Sequence, residues 1–222
     1  MGTLFLVRHG QASFGADNYD QLSALGHQQC LQLGRYWAAK GRRFEAVITG
    51  TLVRHAQSYA AIAEGLGVSQ PVLQLPGLNE YDSHAVIAAI HPEPLAKPDT
   101  PELYKHHFRL LRDGLQAWMA GQTQPQGMPS YAQFSEGVAQ ALAHVRSTHE
   151  GDVLMVSSGG PISTAVGQIL GVPAATTIEL NMRIRNSAVT ELITSPKRHA
   201  LLSFNNLPHL DDAQFAKWLT YA

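Results

Sequence analysis

The chain has 222 residues, of which 45% are apolar and 15% are charged, and its formal net charge is −1. This balance is typical of a globular protein and argues against disorder. The near-neutral charge excludes a broad cationic surface, so we expect no nucleic-acid or membrane partner, and any anion site must be built locally. The length suits one α/β domain over residues 1–222.

Cysteine content and the N-terminal residues restrict the class of protein further. Cys30 is the only cysteine, which excludes an intramolecular disulfide and a thiolate metal cluster. No apolar run approaches the roughly 20 residues of a membrane span, and the start of the chain lacks the pattern of a signal peptide. We therefore expect a cytoplasmic protein. Eleven histidines are present, but there is no HExxH and the adjacent His106 and His107 would diverge on a helix, so we expect no metal and no cofactor.

The chain alternates apolar strand-like runs with amphipathic helical stretches. Ser23 predicts the N-cap of a helix that reaches residue 40, and Gly67 predicts the end of a second helix from residue 51. On the first helix, Cys30 lies on the apolar stripe and is assigned to the core. A helix is also expected from the glycines after residue 158 to residue 170. Strands are expected at residues 3–7, 44–49, 72–75, 152–156, 178–180, 187–193 and 201–204.

These elements predict an α/β fold. The order of strands and helices indicates a three-layer sandwich with a mixed, mostly parallel sheet, because short links between the last strands favour antiparallel pairing. Residues 81–150 are rich in proline and have helical apolar spacing around residues 103–119 and 131–149. We interpret them as a helical insertion over the carboxyl edge of the sheet, within a single domain.

Residues suited to binding phosphate follow several of the predicted strands. In an open α/β sheet, ligands bind beyond the carboxyl ends of the strands. Arg8 and Arg54 offer charged forks for phosphoryl oxygens, and Ser158 and Gly159 open a helix whose N-terminus favours an anion. His9 is a candidate nucleophile because neutral imidazole is abundant near pH 7. Gly10 would leave room beside the imidazole.

Glu80 completes this candidate site. It is placed to protonate a leaving alcohol and then to activate water, provided that partial burial raises the pKa of its carboxyl group. Taken alone, a glutamate in a loop is more often a surface residue. Its position among the other site residues favours a catalytic role.

Five segments resemble the histidine phosphatase superfamily, which includes the cofactor-dependent phosphoglycerate mutases. The similar segments are residues 4–13 (LFLVRHGQAS), 22–29, 49–58 (TGTLVRHAQS), 78–80 (LNE) and 205–210 (NNLPHL). The resemblance implies the superfamily's fold and transfer of a phosphoryl group to His9. It also implies that Arg8, Arg54 and a second histidine hold the phosphate and that Glu80 is the acid.

The second histidine of the superfamily normally follows a late strand as a His-Gly pair. The matching stretch here is residues 153–162 (VLMVSSGGPI), which places Ser158 at the position of that histidine. A serine supplies only a neutral hydrogen bond, and losing one preorganised donor typically lowers the rate about 10²- to 10³-fold. His84 could substitute if residues 80–84 were helical. His55 is a poor substitute, because on a helix it would point about 100° away from Arg54.

Two functions from different classes therefore stay open. The first is a phosphomonoester hydrolase that forms phosphohistidine at His9, with activity reduced by Ser158. The second is a catalytically degenerate protein that binds a phosphorylated ligand or partner. A mutase is disfavoured, because the stretches after Arg-His-Gly and after Glu80 do not resemble those of the mutases. A serine hydrolase using Ser157 or Ser158 lacks the G-x-S-x-G elbow.

The expected partner is a small phosphorylated molecule or inorganic phosphate. The identity of the substrate is not encoded in a recognisable motif, because insertions such as residues 81–150 vary freely. Arg183 and Arg185 would add positive charge near the substrate or simply be solvated surface. The oligomeric state is open, a homodimer included.

Overall fold

The computed structural model describes residues 2–13, 20–95 and 100–221. The strands within these residues are β1 (Gly2–Arg8), β2 (Ala46–Thr49), β3 (Val72–Gln74), β4 (Val153–Ser157), β5 (Val189–Thr194) and β6 (His199–Asn206). The α-helices are α1 (Ala24–Ala39), α2 (Val53–Leu66), α3 (Ser83–Ala88), α4 (Pro101–Met119), α5 (Tyr131–Thr148), α6 (Gly159–Leu170) and α7 (Ala174–Arg183).

All six strands form one sheet in the order β3-β2-β4-β1-β5-β6. The pairs β3–β2, β2–β4 and β4–β1 are parallel, whereas β1–β5 and β5–β6 are antiparallel. The prediction of a mixed, mostly parallel sheet is therefore confirmed. Because β2, β4 and β1 are parallel neighbours, their carboxyl ends lie side by side at one edge of the sheet.

Alternate residues of β1 face the two helical layers. Phe5 and Val7 belong to an apolar cluster with buried side chains of α1 and α2, including Cys30. Leu4 and Leu6 belong to a larger cluster with buried side chains of α4, α5 and α6. This alternation is the period of two of a strand that is covered on both faces. The three-layer prediction and the core position of Cys30 are both confirmed, and burial raises the pKa of the Cys30 thiol to about 11.

The predicted helix ends are also confirmed. Ser23 precedes α1, and its hydroxyl oxygen accepts a hydrogen bond from the Gly26 N–H at 3.0 Å. Such a bond satisfies one of the four N–H groups that a helix leaves unpaired at its N-terminus. Gly67 ends α2 with a φ of 68°, a left-handed conformation that glycine adopts without a steric penalty,.

One predicted element is wrong. Residues 178–180 were expected to form a strand but lie inside α7. A short run with a β-branched residue does not by itself distinguish a strand from a helix. Here Pro173 precedes the helix as its N-cap, and Thr177 and Ile178 are its buried residues. α7 packs against α6, and tertiary packing of this kind commonly overrides a weak local preference.

The helical segment of residues 81–150 contains α3, α4 and α5. Its core includes Trp118, which is 1% exposed and makes ring contacts with Tyr81 and Phe134. Tyr81 directly follows Glu80, so this aromatic cluster adjoins the predicted site. Residues 96–99 of the predicted proline-rich segment, Pro98 among them, lie outside the described residues. Among the described helices, none combines the length and the apolar character needed to cross a membrane.

Candidate active site

The carboxyl ends of β1 and β4 bring two of the sequence motifs together. Arg8 pairs with Ser157 across the parallel strands, and the His9 N–H donates to the Ser157 carbonyl oxygen at 2.9 Å. Ser158 follows directly and begins α6 as its N-cap. The neighbouring strand β2 ends at Thr49, and α2 begins four residues later. The first turns of α2 and α6 consequently flank the end of β1.

The His9 imidazole is held in one orientation and one tautomer. Its side chain is nearly fully buried, and Nδ1 lies 2.7 Å from the Gly10 carbonyl oxygen. Because a carbonyl only accepts, Nδ1 carries the proton and Nε2 keeps its lone pair. The Arg54 Nε–H donates to this Nε2 atom at 3.3 Å. Burial, followed by the charges of Arg8 and Arg54, lowers the pKa of His9 well below its usual value. The ring is therefore neutral at physiological pH.

The backbone around His9 is fixed from both sides. The His9 carbonyl oxygen accepts from the Ser187 N–H at 3.2 Å and from Asn186 Nδ2 at 3.4 Å. The Gly10 N–H donates to Ser58 Oγ at 3.1 Å. A Cβ atom at Gly10 would lie 2.3 Å from the Gly26 carbonyl oxygen. Gly10 is therefore required by the close approach of the α1 backbone, and the expectation that it leaves room beside the imidazole stays a prediction.

Both predicted arginines are fixed at the site. Arg54 is 6% exposed, and its NH1 group donates to Asp20 Oδ1 at 2.9 Å. The Asp20 carboxylate also accepts from the N–H groups of Val53 and Arg54 at 2.9 and 3.3 Å, so it caps α2 while holding the guanidinium. Arg8 is 8% exposed and donates to the Ile184 carbonyl oxygen. Two permanent positive charges therefore lie near the His9 ring.

Glu80 lies across the start of α6. The Gly160 N–H donates to both carboxylate oxygens, at 3.0 Å and 3.2 Å. Burial raises the pKa of the Glu80 carboxyl group, although the Gly160 hydrogen bond and the charges of Arg8 and Arg54 oppose the shift. Part of the helix N-terminus that was expected to receive phosphate thus holds this carboxylate. The carboxyl group has the raised pKa that an acid–base role requires.

Ser158 and Gly159 begin α6, but the serine does not cap the helix with its side chain. Ser158 is fully buried, and its Oγ atom lies 2.7 Å from His55 Nε2. His55 itself is 0% exposed, and its ring centroid is 5.8 Å from that of His9. His55 was expected to be a poor substitute for the second histidine of the superfamily because it would point about 100° away from Arg54, yet its ring lies beside Ser158 and His9. The angle between His55 and Arg54 on the helix does not keep His55 out of the candidate site, because residues of the site surround the first turn of α2.

Several other candidates lie apart from these residues. His84 is exposed at the start of α3, and its electrostatic neighbour is His107 of α4. Arg112 forms a surface ion pair with Glu179 at 2.8 Å. Arg183 is 76% exposed in its side chain. In the described ranges there is no group of three or more histidine, cysteine or acidic residues arranged to hold a metal ion.

The sequence motifs did not indicate all the residues that surround His9. They missed Asp20, which binds Arg54, as well as Asn186 and Ser187, which bind the His9 carbonyl oxygen. The only signal for Asp20 would have been an acidic residue shortly before a predicted helix N-cap. The pair from the β5 side of the sheet had no local signal, because the antiparallel pairing of β1 and β5 brings it there.

The arrangement is that of an α/β protein with a neutral histidine, two arginines and a carboxyl group of raised pKa at the carboxyl edge of its sheet. The family model of the histidine phosphatase superfamily (branch 1) matches residues 4–207. The chain therefore belongs to the histidine phosphatase superfamily. No match to a curated protein is found.

Solved structures of phosphatases share this fold. A phosphoserine phosphatase from Entamoeba histolytica, in complex with 3-phosphoglyceric acid, has a TM-score of 0.66 and 22% identity, over 95% of this chain and 100% of that one. The alpha-ribazole phosphatase from Shigella flexneri has a TM-score of 0.65 and 19% identity, over 92% and 96%. A mycobacterial glucosyl-3-phosphoglycerate phosphatase has a TM-score of 0.63 and 19% identity, over 92% and 99%. At these identities the similarity establishes the fold.

Proposed function

We propose that the protein is a phosphomonoester hydrolase that works through a phosphohistidine at His9. The observation that carries the proposal is the state of the imidazole. Nδ1 is protonated and bound to the Gly10 carbonyl oxygen, and Nε2 is unprotonated, with its lone pair accepting the Arg54 Nε–H at 3.3 Å, a bond that an incoming phosphoryl group would replace. A neutral, oriented imidazole next to fixed positive charge is suited to attack a phosphoryl group.

In the first step, His9 Nε2 forms a bond to phosphorus while the bond to the leaving oxygen breaks. Glu80 in its protonated form, which its raised pKa favours, gives its proton to that oxygen, and an alcohol leaves. In the second step, the Glu80 carboxylate takes a proton from water as the water oxygen attacks the phosphohistidine. Inorganic phosphate leaves, His9 is neutral again and Glu80 is protonated again. Neither step requires a metal or an organic cofactor.

The phosphoryl oxygens would be held by Arg8, Arg54, Ser158 and the Gly159 N–H. The arginines stabilise the charge that spreads over these oxygens in the transition state. The substrate would be a small phosphorylated molecule, as the phosphoserine and 3-phosphoglyceric acid named for structural neighbours suggest. We assign the helical segment of residues 81–150 as its wall within a single domain, because Tyr81 links it to Glu80.

The test is hydrolysis of p-nitrophenyl phosphate between about pH 5 and 8, the range in which histidine titrates, by wild type and His9→Ala. We expect turnover by wild type, loss of turnover in His9→Ala, and one labile phosphoryl group per wild-type chain in a rapid-quench mass spectrum. Absence of both turnover and phosphohistidine in the wild type would refute the proposal.

A second candidate is binding of a phosphorylated ligand without turnover. Ser158 favours it, because the resemblance places a histidine there and a hydroxyl group is a weaker donor. Tight binding of phosphate and of vanadate by a wild-type protein that never forms phosphohistidine would support this second candidate.

A further inference from the structure

His55 and Ser158 form a buried hydrogen-bonded pair beside His9. The Nε2 and Oγ atoms are 2.7 Å apart, and the rings of His55 and His9 are tilted by 35° with centroids 5.8 Å apart. The glycine at position 50 leaves space for the His55 ring. Any larger residue there would place its Cβ atom 2.3 Å from His55 Nδ1. The pair is thus built into the first turns of α2 and α6, next to the candidate nucleophile.

The His55 ring is polar at a position where an apolar side chain would be less costly. Nδ1 is buried and has no hydrogen-bond partner among the described residues. Leaving one buried polar atom unpaired costs about 1–3 kcal/mol. The bond to Ser158 is the one side-chain hydrogen bond found for this imidazole in the described part of the chain. A purely structural role at this position would be filled equally well by an apolar side chain that packs without hydrogen bonds. The presence of a histidine therefore favours a role for the pair in the site.

The protonation state of the pair follows from its surroundings. Burial, together with the charge of Arg54, lowers the pKa of His55 to about 3, so the ring is neutral. With the proton on Nε2, the imidazole donates to Ser158 Oγ and leaves the serine hydroxyl proton free for another acceptor. Ser158 does not use this hydroxyl to cap α6. It stands one residue after Ser157, whose carbonyl oxygen binds the His9 N–H, which places Ser158 at the edge of the sheet that carries His9.

We propose that His55 and Ser158 together replace the second phosphate-binding histidine of the superfamily. Ser158 donates its hydroxyl proton to a phosphoryl oxygen, and His55 is a positioning residue that orients the hydroxyl by donating to its oxygen. The inference rests on the proposed function, since it assigns a role in the same site. Serial hydrogen bonds of this kind polarise one another, which makes the terminal donor stronger than an isolated serine.

The variants that test the pair are His55→Phe, Ser158→Ala, the double variant and His55→Gln. Phenylalanine keeps a ring but no donor, whereas glutamine can place an amide N–H near the position of Nε2. The matched control is His199→Phe. His199 is also a buried histidine bound to a hydroxyl, with Nδ1 3.0 Å from Thr194 Oγ1, but it lies on β6, away from His9.

We expect His55→Phe and Ser158→Ala each to lower kcat about 10²-fold, the size of effect seen when a catalytic donor is misplaced. The double variant should lose no more than the worse single variant, because the two residues act as one unit. The inhibition constant of vanadate, which resembles the transition state, should rise more than that of phosphate. His55→Gln should recover part of kcat, and His199→Phe should leave kcat and both inhibition constants unchanged.

Outcomes that contradict the pair are separate from those that contradict the hydrolase. Wild-type kcat and vanadate inhibition in His55→Phe, or fully additive losses in the double variant, would overturn the inference while the hydrolase stands. If the wild type neither turns over nor forms phosphohistidine, the hydrolase proposal fails. Dissociation constants for phosphate and vanadate, measured by calorimetry, then decide on the pair: weaker binding in both single variants supports it, and unchanged binding overturns it. If His55→Phe does not fold, Ser158→Ala and His55→Gln give the same comparison.

Discussion

The Glu80 carboxylate accepts the Gly160 N–H through both of its oxygens, at 3.0 and 3.2 Å. This bond connects the loop after β3 with the start of α6, which are 80 residues apart in the chain. A helix N-terminus favours a carboxylate over a carboxylic acid, yet burial is the larger influence and raises the Glu80 pKa. The surroundings thus favour the protonated form overall while the Gly160 N–H stabilises the ionised form, an environment that suits alternate donation and acceptance of a proton.

We predict that Glu80→Gln lowers kcat/KM strongly for an alkyl phosphate and only weakly for p-nitrophenyl phosphate. An alkoxide needs a proton to leave, whereas p-nitrophenolate does not, and general acid catalysis contributes about 10²- to 10⁴-fold. Since Glu80 also activates water, the variant should accumulate phosphohistidine with the nitrophenyl substrate. Steady-state rates with both substrates and rapid-quench mass spectra measure this. The matched control is the exposed Glu136→Gln on α5, and equal losses for both substrates would contradict the assignment.

We predict that Arg54→Lys weakens phosphate inhibition about 10- to 10²-fold. Lysine keeps the charge, but it cannot bind His9 Nε2 and Asp20 Oδ1 simultaneously as the guanidinium does,. Losing one hydrogen bond to a charged group costs about 1.5–3 kcal/mol, which corresponds to this change in affinity. Inhibition constants of phosphate provide the measurement. Arg112→Lys, on the exposed face of α4, is the control, and an Arg54→Lys protein with wild-type inhibition would argue against the assigned phosphate site.

We predict that Ser158→His alone does not raise activity, whereas Ser158→His combined with His55→Ala does so relative to Ser158→Ala. The Ser158 Oγ atom is only 2.7 Å from His55 Nε2, so an imidazole at position 158 would collide with the His55 ring in a core that packs without free space. Removing the His55 ring provides the volume. The kcat of the three variants checks this, and higher activity in Ser158→His alone would show that the two rings do not compete for space.

We predict that the protein loses stability as the pH falls from 7 to 5. The pKa values of His55 and His209 are lowered by burial to about 3 in the folded chain, whereas the unfolded chain takes up protons near pH 6.5. Below that pH the unfolded state binds more protons, so the free energy of unfolding falls by about 1.4 kcal/mol per pH unit for each such histidine. The stability that these histidines contribute above pH 6.5 would be fully lost only near pH 3, their pKa in the folded chain.

Urea unfolding at several pH values measures this dependence in wild type and in His209→Phe. His209 binds Ser187 Oγ at 2.9 Å, and Ser187 in turn binds the His9 carbonyl oxygen through its N–H, so the variant is compared by unfolding and not by activity. The His209→Phe variant will be less stable than the wild type. The slope of its free energy of unfolding with pH should nevertheless be smaller by about 1.4 kcal/mol per pH unit. An unchanged slope would mean that His209 is protonated in the folded state.

Much of the fold could be predicted from local chemistry. The apolar run of β1 ends in Arg8 and His9, and this abrupt change identified a buried strand and placed the candidate site at its end. Ser23 and Gly67 set helix boundaries through their capping geometry, which depends only on neighbouring residues,. By contrast, residues 178–180 had no local feature that distinguished a strand from α7.

The site shows the same division. The sequence by itself determined the superfamily and its fold, because motifs and residue types carry this information, and it supplied the residues on which the roles proposed for His9 and Ser158 rest. Only the tertiary structure decided that His55 reaches Ser158, that Asp20 holds Arg54 and that Glu80 lies on the Gly160 N–H. These contacts join segments that are distant in sequence, and they depend on which strands are neighbours and on how the first turns of α2 and α6 meet, geometry that no local pattern of residues specifies.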